Sequence, residues 1–424
     1  MAASHSVSTA AARELLADRR FRRFAVARTA SLLGSGFGRV AIAFAVLGLP
    51  GSTPVHLSVV IACQTLPTVL LVLFSGVVAD RYPRQRVLVV ADLISALAWA
   101  GLAALTFANH GPLVALMALA FLSGVGTALF GPASTAILPE LVPNERLQTA
   151  NGLLRIGQNT ALVLGLALGG VAVALIGAGS ALAVDAVSFF VSALLLAGLR
   201  LSWRTQTADS PSMLQDLRLG WHEFISRQWL WVVVVQFSLV AAALSAYIGV
   251  LGPLAALQHL GGAKAWGLLA GADALGTVAG ATLSLRIRPH RPILVAVLAT
   301  FVLGLPVLLI AWAPLWTTMI AMFASGVATD VFSVLWSTTM QREVPGPMLA
   351  RVSAYDYLGS FALAPIGIAL AGPAALAFGT STALTACGAF VVIATLGALL
   401  APQVRQLTAP NTLAPGEGTT AGSA

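Results

Sequence analysis

Polar positions are rare along this chain and come in bunches, and the apolar runs between them are long enough to cross a bilayer. At a rise of about 1.5 Å per residue, about 20 apolar residues span a hydrocarbon core of roughly 30 Å. Twelve windows meet that requirement: 24–48, 55–79, 87–107, 112–133, 153–177, 180–199, 229–252, 264–285, 292–313, 316–338, 352–376 and 379–401. Backbone groups in lipid must bond within their own segment or around a closed barrel, and no alternating barrel pattern is present, so the windows predict helices. The first has too long an apolar part for a cleavable signal, and further windows follow it.

The polar intervals divide the chain. Residues 1–23 form an N-terminal segment, 24–199 a first bundle, 200–228 a linker, 229–401 a second bundle and 402–424 a tail. Within the linker, SMLQDLRLGWHEFISRQ places Met213, Leu217, Trp221, Phe224 and Ile225 on one helical face, opposite Asp216, Arg218, Glu223 and Arg227. That pattern predicts a helix lying along the membrane surface and tethering the bundles. Pro402, Pro410, Pro415 and small polar residues predict a disordered tail.

The chain is also written twice. At an offset of 202 residues SGVGTALF (123–130) meets SGVATDVF (325–332), ELVP (140–143) meets REVP (342–345), and Leu147, Gly157, Gly165 and Gly170 fall on Leu349, Gly359, Gly367 and Gly372. One offset held over about 50 residues is the mark of an internal repeat. The fold class is an all-α membrane protein, with twelve transmembrane helices in two six-helix pseudo-repeats.

Composition agrees: 58% of the 424 residues are hydrophobic and 9% charged, with a mean hydropathy of +0.91. A soluble chain is nearer 25% charged. The net charge of +8 is a matter of placement, because arginine supplies 22 of the 23 basic residues and gathers in the intervals on one side. That side holds Arg13 to Arg23, Arg81 to Arg86, Arg146, Arg200 to Arg227, Arg286 to Arg291, Arg342, Arg351 and Arg405, while the other keeps Lys264. The positive-inside rule then predicts both termini in the cytoplasm, and nucleic acid is not an implied partner. Cys63 and Cys387 fall inside apolar windows, with no disulfide framework. No phosphate loop with its lysine is present and the histidines show no metal spacing, so neither an ATP-driven machine nor a metalloenzyme is indicated, and no cofactor is expected.

The stretch FSGVVADRYPRQRVL (74–88) puts four charges between two apolar runs. GVVADRYPRQR resembles the loop signature of the major facilitator superfamily, G-x-x-x-D-R-x-G-R-(K/R)-(K/R). Gly76, Asp80, Arg81, Arg84 and Arg86 match it, while Pro83 replaces the second glycine and Gln85 one basic position. At an offset of 204 the stretch recurs in degenerate form as GATLSLRIRPHR (280–291), with Ser284 in place of Asp80. RVLVVADL, PASTAILPELVPNERLQTANGL, AVDAVSFFVSAL, VLWSTTMQREVP and ARVSAYDYLGS resemble the secretion-effector branch, which includes enterobactin-type exporters and macrolide-efflux-like proteins. The resemblance implies a rocker-type secondary transporter whose bundles pivot about a central site. It also implies a cytoplasmic latch, in which Asp80 pairs with Arg84 and faces the N-terminus of the eleventh helix. The alternative for Arg81, Arg84 and Arg86 is anchoring to anionic lipid.

GQNTALVLGLALGGV (157–171) resembles the fifth-helix antiporter signature G-x-x-x-G-P-x-x-G-G at Gly165, Gly169 and Gly170, with Ala161 and Leu166 departing from it. Small residues at that spacing predict close helix packing. Superfamily exporters often carry R-x-x-Q-G in the fourth helix; here Ala120 stands in the arginine's place, and Arg39, midway along the first helix, is the candidate replacement.

Ionisable residues inside a membrane are functional candidates by default. Arg39, Asp185, Asp273 and Asp330 lie well within windows; Arg28, Asp92 and Asp356 lie nearer the ends, where snorkelling or capping is open to them. Asp330, predicted at mid-depth, suits a proton carrier, with permanent pairing to Arg39 or another group in a structural bridge as the alternative. Phe37, Phe44, Trp336, Tyr355 and Phe361 are candidates for an aromatic cavity wall.

The expectation is a monomeric exporter in a bacterial inner membrane, with the lipid bilayer and a small amphipathic substrate as partners and a proton gradient as energy source. An importer or uniporter, and a non-transporting partner or sensor on the same fold, are the alternatives.

Overall fold

A computed structural model describes residues 13–143, 146–199, 221–284 and 286–408, without the side chains of 72–81, 136, 148, 346–347, 350–351 and 354. The helices of the first half are α1 (Arg19–Gly48), α2 (Pro54–Arg81), α3 (Arg84–Phe107), α4 (Leu113–Leu141), α5 (Leu147–Ile176) and α6 (Ala178–Ala197). The second half holds α7 (Gln228–Ala246), α8 (Ala263–Ser284), α9 (Pro292–Leu309), α10 (Leu315–Glu343), α11 (Gly346–Phe361), α12 (Ala364–Phe378), α13 (Thr380–Leu399) and α14 (Pro402–Gln406). Beyond α7, two π-helical turns carry the segment on to Leu260. Gly252 and Pro253 sit between those turns, where the missing proline N–H interrupts the ordinary ladder.

Local chemistry sets the boundaries. Asp18 starts α1 by accepting the amides of Arg20 at 2.7 Å and Phe21 at 3.3 Å. Gly177 and Gly379, one repeat length apart, both take φ +85° at the turns into α6 and α13, a conformation open to glycine. The window 352–376 was expected as one helix, but it breaks at 362–363, because Pro365 has no amide to bond back and its ring crowds the preceding turn.

Eleven helices among the described residues are long and apolar enough to cross a membrane. The window 264–285 forms α8, which has the length but is less apolar, carrying Lys264 and Asp273 among several glycines. The tail also departs from expectation at its start: residues 402–406 are helical, Val404 is fully buried, and the Gln403 side chain accepts the Trp229 amide at 3.1 Å. Residues 409–424 of the tail and 200–220 of the linker lie outside the described residues; 221–226 of the linker are helical.

In the first half α1 packs on α5 and α6, and α4 on α2 and α3; in the second α10 packs on α8 and α9, and α7 on α12 and α13. The halves meet through α5 against α8 and α2 against α12. A Cβ on Gly170 would lie 2.6 Å from the Ala263 carbonyl oxygen and 2.7 Å from Gly267 Cα, so the α5 and α8 backbones touch there. Its repeat mate Gly372 makes the corresponding contact, donating its amide to Ser58 Oγ of α2 at 2.6 Å and lying against the Pro54 carbonyl.

Both contacts lie at the end of the molecule opposite the α2–α3 turn, here the far end. There one hydrophobic core runs through both halves, joining Val40, Leu57, Leu102 and Leu182 to Tyr247, Leu254, Leu269 and Leu384. Among the described residues the near-end core is split: Phe21, Leu88, Ile137 and Leu196 belong to a cluster of the first half alone, and Leu230, Ile293, Phe332 and Val352 to one of the second.

Because no side chain fits at Gly170 between α5 and α8, Gly170→Val is expected to pry the far end open. In a background lacking Cys63 and Cys387, a reporter at Ser58→Cys should then react several-fold faster with a water-soluble maleimide. Unchanged labelling would mean that the glycine contact does not hold that end shut.

Candidate functional site

A polar cavity of about 250 Å³ lies within the first half. Arg28, Ser31, Ser35 and Arg39 line it from one stripe of α1, Gln64 from α2, Asp92, Ser95 and Trp99 from α3, and Thr127 and Phe130 from α4. A second space of about 360 Å³ adjoins it at Arg28 and leads to the near end past Ser134 of α4 and Asn151, Arg155 and Gln158 of α5.

The charges inside are arranged in couples that stop short of ion pairing. Arg28 sits with its guanidinium carbon 4.7 Å from the Phe130 ring centroid, a cation–π contact. The charge facing it is Asp92, which is buried and among the described residues has no hydrogen bond of good geometry on either oxygen. The nearby Ser192 hydroxyl is also without a partner of good geometry. Arg39 opens into the cavity and faces Asp185, which is fully buried. Ser188 Oγ lies 3.4 Å from Asp185 Oδ1, while Oδ2 has no partner. Gly34 and Gly38 on α1 make this possible, since a methyl group at either would collide with Ser188 or Asp185.

Of the two alternatives for Asp330, pairing with Arg39 is therefore corrected. At mid-depth α1 lies against α6, whereas α10 lies on α8 and α9, so the two residues belong to different walls. Asp330 accepts from Ser284 Oγ at 3.3 Å, and the cation whose field reaches it is Arg155, across the gap on α5. Asp273 is half-buried on α8 and has no ion pair among the described residues.

The predicted latch is described only in part, because the side chains of Gly76, Asp80 and Arg81 lie outside the described residues. Arg84 reaches Glu140 at the end of α4 at 2.7 Å, and Arg86 is exposed. The second half cannot repeat that bridge, since Arg288 and Arg342 stand at the corresponding positions and both are basic. Of the α5 glycines, Gly165 and Gly169 pack on α1 within the same half, and Gly170 alone of the three meets the other half.

A smaller pocket of about 170 Å³ opens in the second half among α7, α10 and α11. Phe237 stacks on Phe332 at 4.8 Å between centroids, Phe332 on Trp336 at 6.3 Å, and Phe361 stands edge-on to Phe237 at 6.1 Å. Asp356 closes it, accepting Trp336 Nε1–H at 3.1 Å with Ser360 Oγ at 3.4 Å. Among the five aromatic wall candidates, Trp336 and Phe361 line this pocket. Tyr355 instead packs on Trp221 and Phe224, and Phe37 and Phe44 join the far-end core.

Sequence reasoning passed over Arg155, and it left snorkelling or capping open to Asp92 and Asp356, which instead line interior pockets. A signal existed: Asn151, Arg155 and Gln158 recur on one helical face, as do Arg28, Ser31, Ser35 and Arg39.

If Arg39 and Asp185 neutralise each other, removing one leaves the other's charge stranded. Arg39→Gln and Asp185→Asn should each lower the melting temperature, and the double variant should recover part of the loss. A coupling of at least about 1 kcal/mol is expected from the double-mutant cycle; additive losses would show that the residues act independently.

Residues 10–415 match the family described as transmembrane secretion effector. The multidrug efflux pump Tap of Mycobacterium tuberculosis is 27% identical over 386 residues, covering 88% of this chain and 91% of that protein. Macrolide efflux protein A of Streptococcus pyogenes is 28% identical over 193 residues, 45% of this chain and 47% of that protein. The nucleoside transporter NupG has the same fold, with a TM-score of 0.72 at 12% identity over 90% of this chain and 98% of that one. A multi-pass helical architecture and a family match along nearly its whole length make this chain a member of the transmembrane secretion effector family of major facilitator transporters, and so a membrane transporter, not an enzyme.

Proposed function

We propose that this chain is a secondary active exporter of small amphipathic molecules, drugs or secondary metabolites, working by alternating access and driven by proton antiport. The supporting observation is the asymmetry of the packing among the described residues: one core shared by both halves at the far end, two separate cores at the near end. A molecule built this way is closed at one end and has a polar cavity approached from the other. The arginine-rich turns lie at the near end, so the positive-inside rule places that opening and both termini in the cytoplasm of a bacterial plasma membrane. Export as the direction, and drugs as the cargo, rest on the names of the relatives, a multidrug efflux pump and a macrolide efflux protein. The transporter acts as a monomer and needs no cofactor besides the gradient.

Asp92 is the proton carrier in this reading. It lines the cavity and faces Arg28, and among the described residues its polar neighbour is the Ser192 hydroxyl, which makes no hydrogen bond of good geometry to it. With Asp92 charged, Arg28 is drawn to it; with Asp92 neutral, Arg28 loses its counter-charge and turns to the cavity. Asp330 and Arg155 serve as the near-end gate. They approach each other from opposite halves, and closing that end brings the two charges together.

In inverted vesicles with an acid lumen, the chain should accumulate a labelled macrolide, and an ionophore that collapses the gradient should abolish accumulation. Asp92→Asn should lose this uphill transport yet retain counterflow exchange, which needs no net proton movement. Wild-type accumulation by Asp92→Asn would move the proton to another group, and uptake in the opposite sense would make the chain an importer.

For the gate, Arg155→Asp and Asp330→Arg should each impair turnover. Their combination should recover a measurable part of it, because the attraction survives a charge swap. No recovery would remove the pair from the closing step.

A further inference from the structure

The aromatic pocket of the second half is the symmetry mate of the basic passage in the first. At the 202-residue offset, Ser134 corresponds to Trp336, Leu154 to Asp356, Arg155 to Tyr357 and Gln158 to Ser360. The register of α1 onto α7 follows from the paired glycines. A Cβ on Gly165 would strike the Leu33 carbonyl, and one on Gly367 the Ala242 carbonyl, so α1 maps onto α7 at an offset of 209, that is 242 less 33. Arg28 then corresponds to Phe237. The same lining positions are basic and polar in the first half and aromatic and acidic in the second.

Resting on the transporter reading above, we propose that the pocket formed by Phe237, Phe332, Trp336 and Phe361 around Asp356 binds the cationic head of an amphipathic substrate, such as a quaternary or tertiary ammonium group. Being the mate of the passage that leads to the cavity, the pocket faces the same central space. Its size decides what enters. At about 170 Å³ it is smaller than the roughly 300–1,000 Å³ that holds a whole drug-sized ligand. It therefore takes one end of the molecule, leaving the apolar remainder in the space between the halves.

Chemistry decides the charge. Asp356 offers about four acceptor positions, of which the Trp336 indole and the Ser360 hydroxyl take one each. Among the described residues no cation pairs with it, and the donors that reach it there are these two neutral groups. The rings of Phe237, Phe332 and Trp336 wall the pocket beside Asp356, and an aromatic wall next to a carboxylate suits a cation and gives an anion nothing. The first half supplies the complement, since Arg28 and Arg155 at the mated positions repel a cation from the opposite wall and so orient the substrate head towards Asp356.

The test uses the purified full-length chain in nanodiscs, with equilibrium dialysis of labelled phenylbutyltrimethylammonium and of its neutral isostere in which carbon replaces the nitrogen. Asp356→Asn keeps an acceptor for the Trp336 indole and removes only the charge. It should weaken binding of the cation by at least about tenfold while leaving the neutral isostere within about twofold. Trp336→Phe keeps the ring face and loses the indole donor, and should hold the cation within about threefold. Equal affinity of Asp356→Asn and wild type for the cation would overturn the proposal, as would equal losses for cation and isostere, which would make Asp356 a structural support for Trp336. The readout needs no gradient and is separate from the export reading. Charge-selective binding without transport would leave the subsite standing and remove the exporter; gradient-driven efflux of the cation by Asp356→Asn at the wild-type rate would do the reverse.

Discussion

A charge inside hydrocarbon must find water or a counter-charge, at a cost of about 2.5–3.5 kcal/mol if it finds neither. The interior of this protein is organised around that constraint. Arg28, Arg39, Asp92 and Asp185 all lie between helices α1, α3 and α6, in or beside one polar cavity, and the glycines of α1 exist where α6 must come close enough for Asp185 to face Arg39. The couples are loose, with oxygens left unbonded, and a loose couple can change its state without dismantling the helices around it.

Loose charges require a rigid frame, and the far end supplies it. Backbone contact at Gly170 and Gly372 brings α5 onto α8 and α12 onto α2, close enough for carbonyl and amide groups to touch across the halves. Association of helices in lipid gains little from the hydrophobic effect, so such contacts depend on the absence of side chains. The shared core grows around these two points, while the described residues of the near end form two separate clusters.

The repeat explains both the frame and its asymmetry of chemistry. Positions that set geometry kept their identity in both copies, as Gly165 with Gly367, Gly170 with Gly372 and Gly177 with Gly379. Positions that line the central space diverged, as Arg155 with Tyr357 and Leu154 with Asp356. A twofold scaffold with unlike walls can hold a molecule that is itself two-ended, which is what amphipathic means.

The sequence by itself determined the helical membrane class, the positions of most spans, the pseudo-repeat and the family, because each depends on local runs of residues or on a fixed spacing. It also marked Asp185, Arg39 and the α5 glycines as unusual. Only the tertiary structure decided partners. Arg39 faces Asp185 and not Asp330, Arg84 reaches Glu140, and Asp356 sits among four aromatic rings drawn from three helices. Depth along a helix can be counted from the chain, but the direction a side chain faces depends on which helices pack against it. Those neighbours are set by contacts between residues hundreds of positions apart, such as Ser58 with Gly372. The break at Pro365 and the π-turns beyond α7 belong between these cases: the prolines were visible, but whether each bent, broke or merely loosened its helix depended on how the surrounding helices re-satisfied the freed backbone groups.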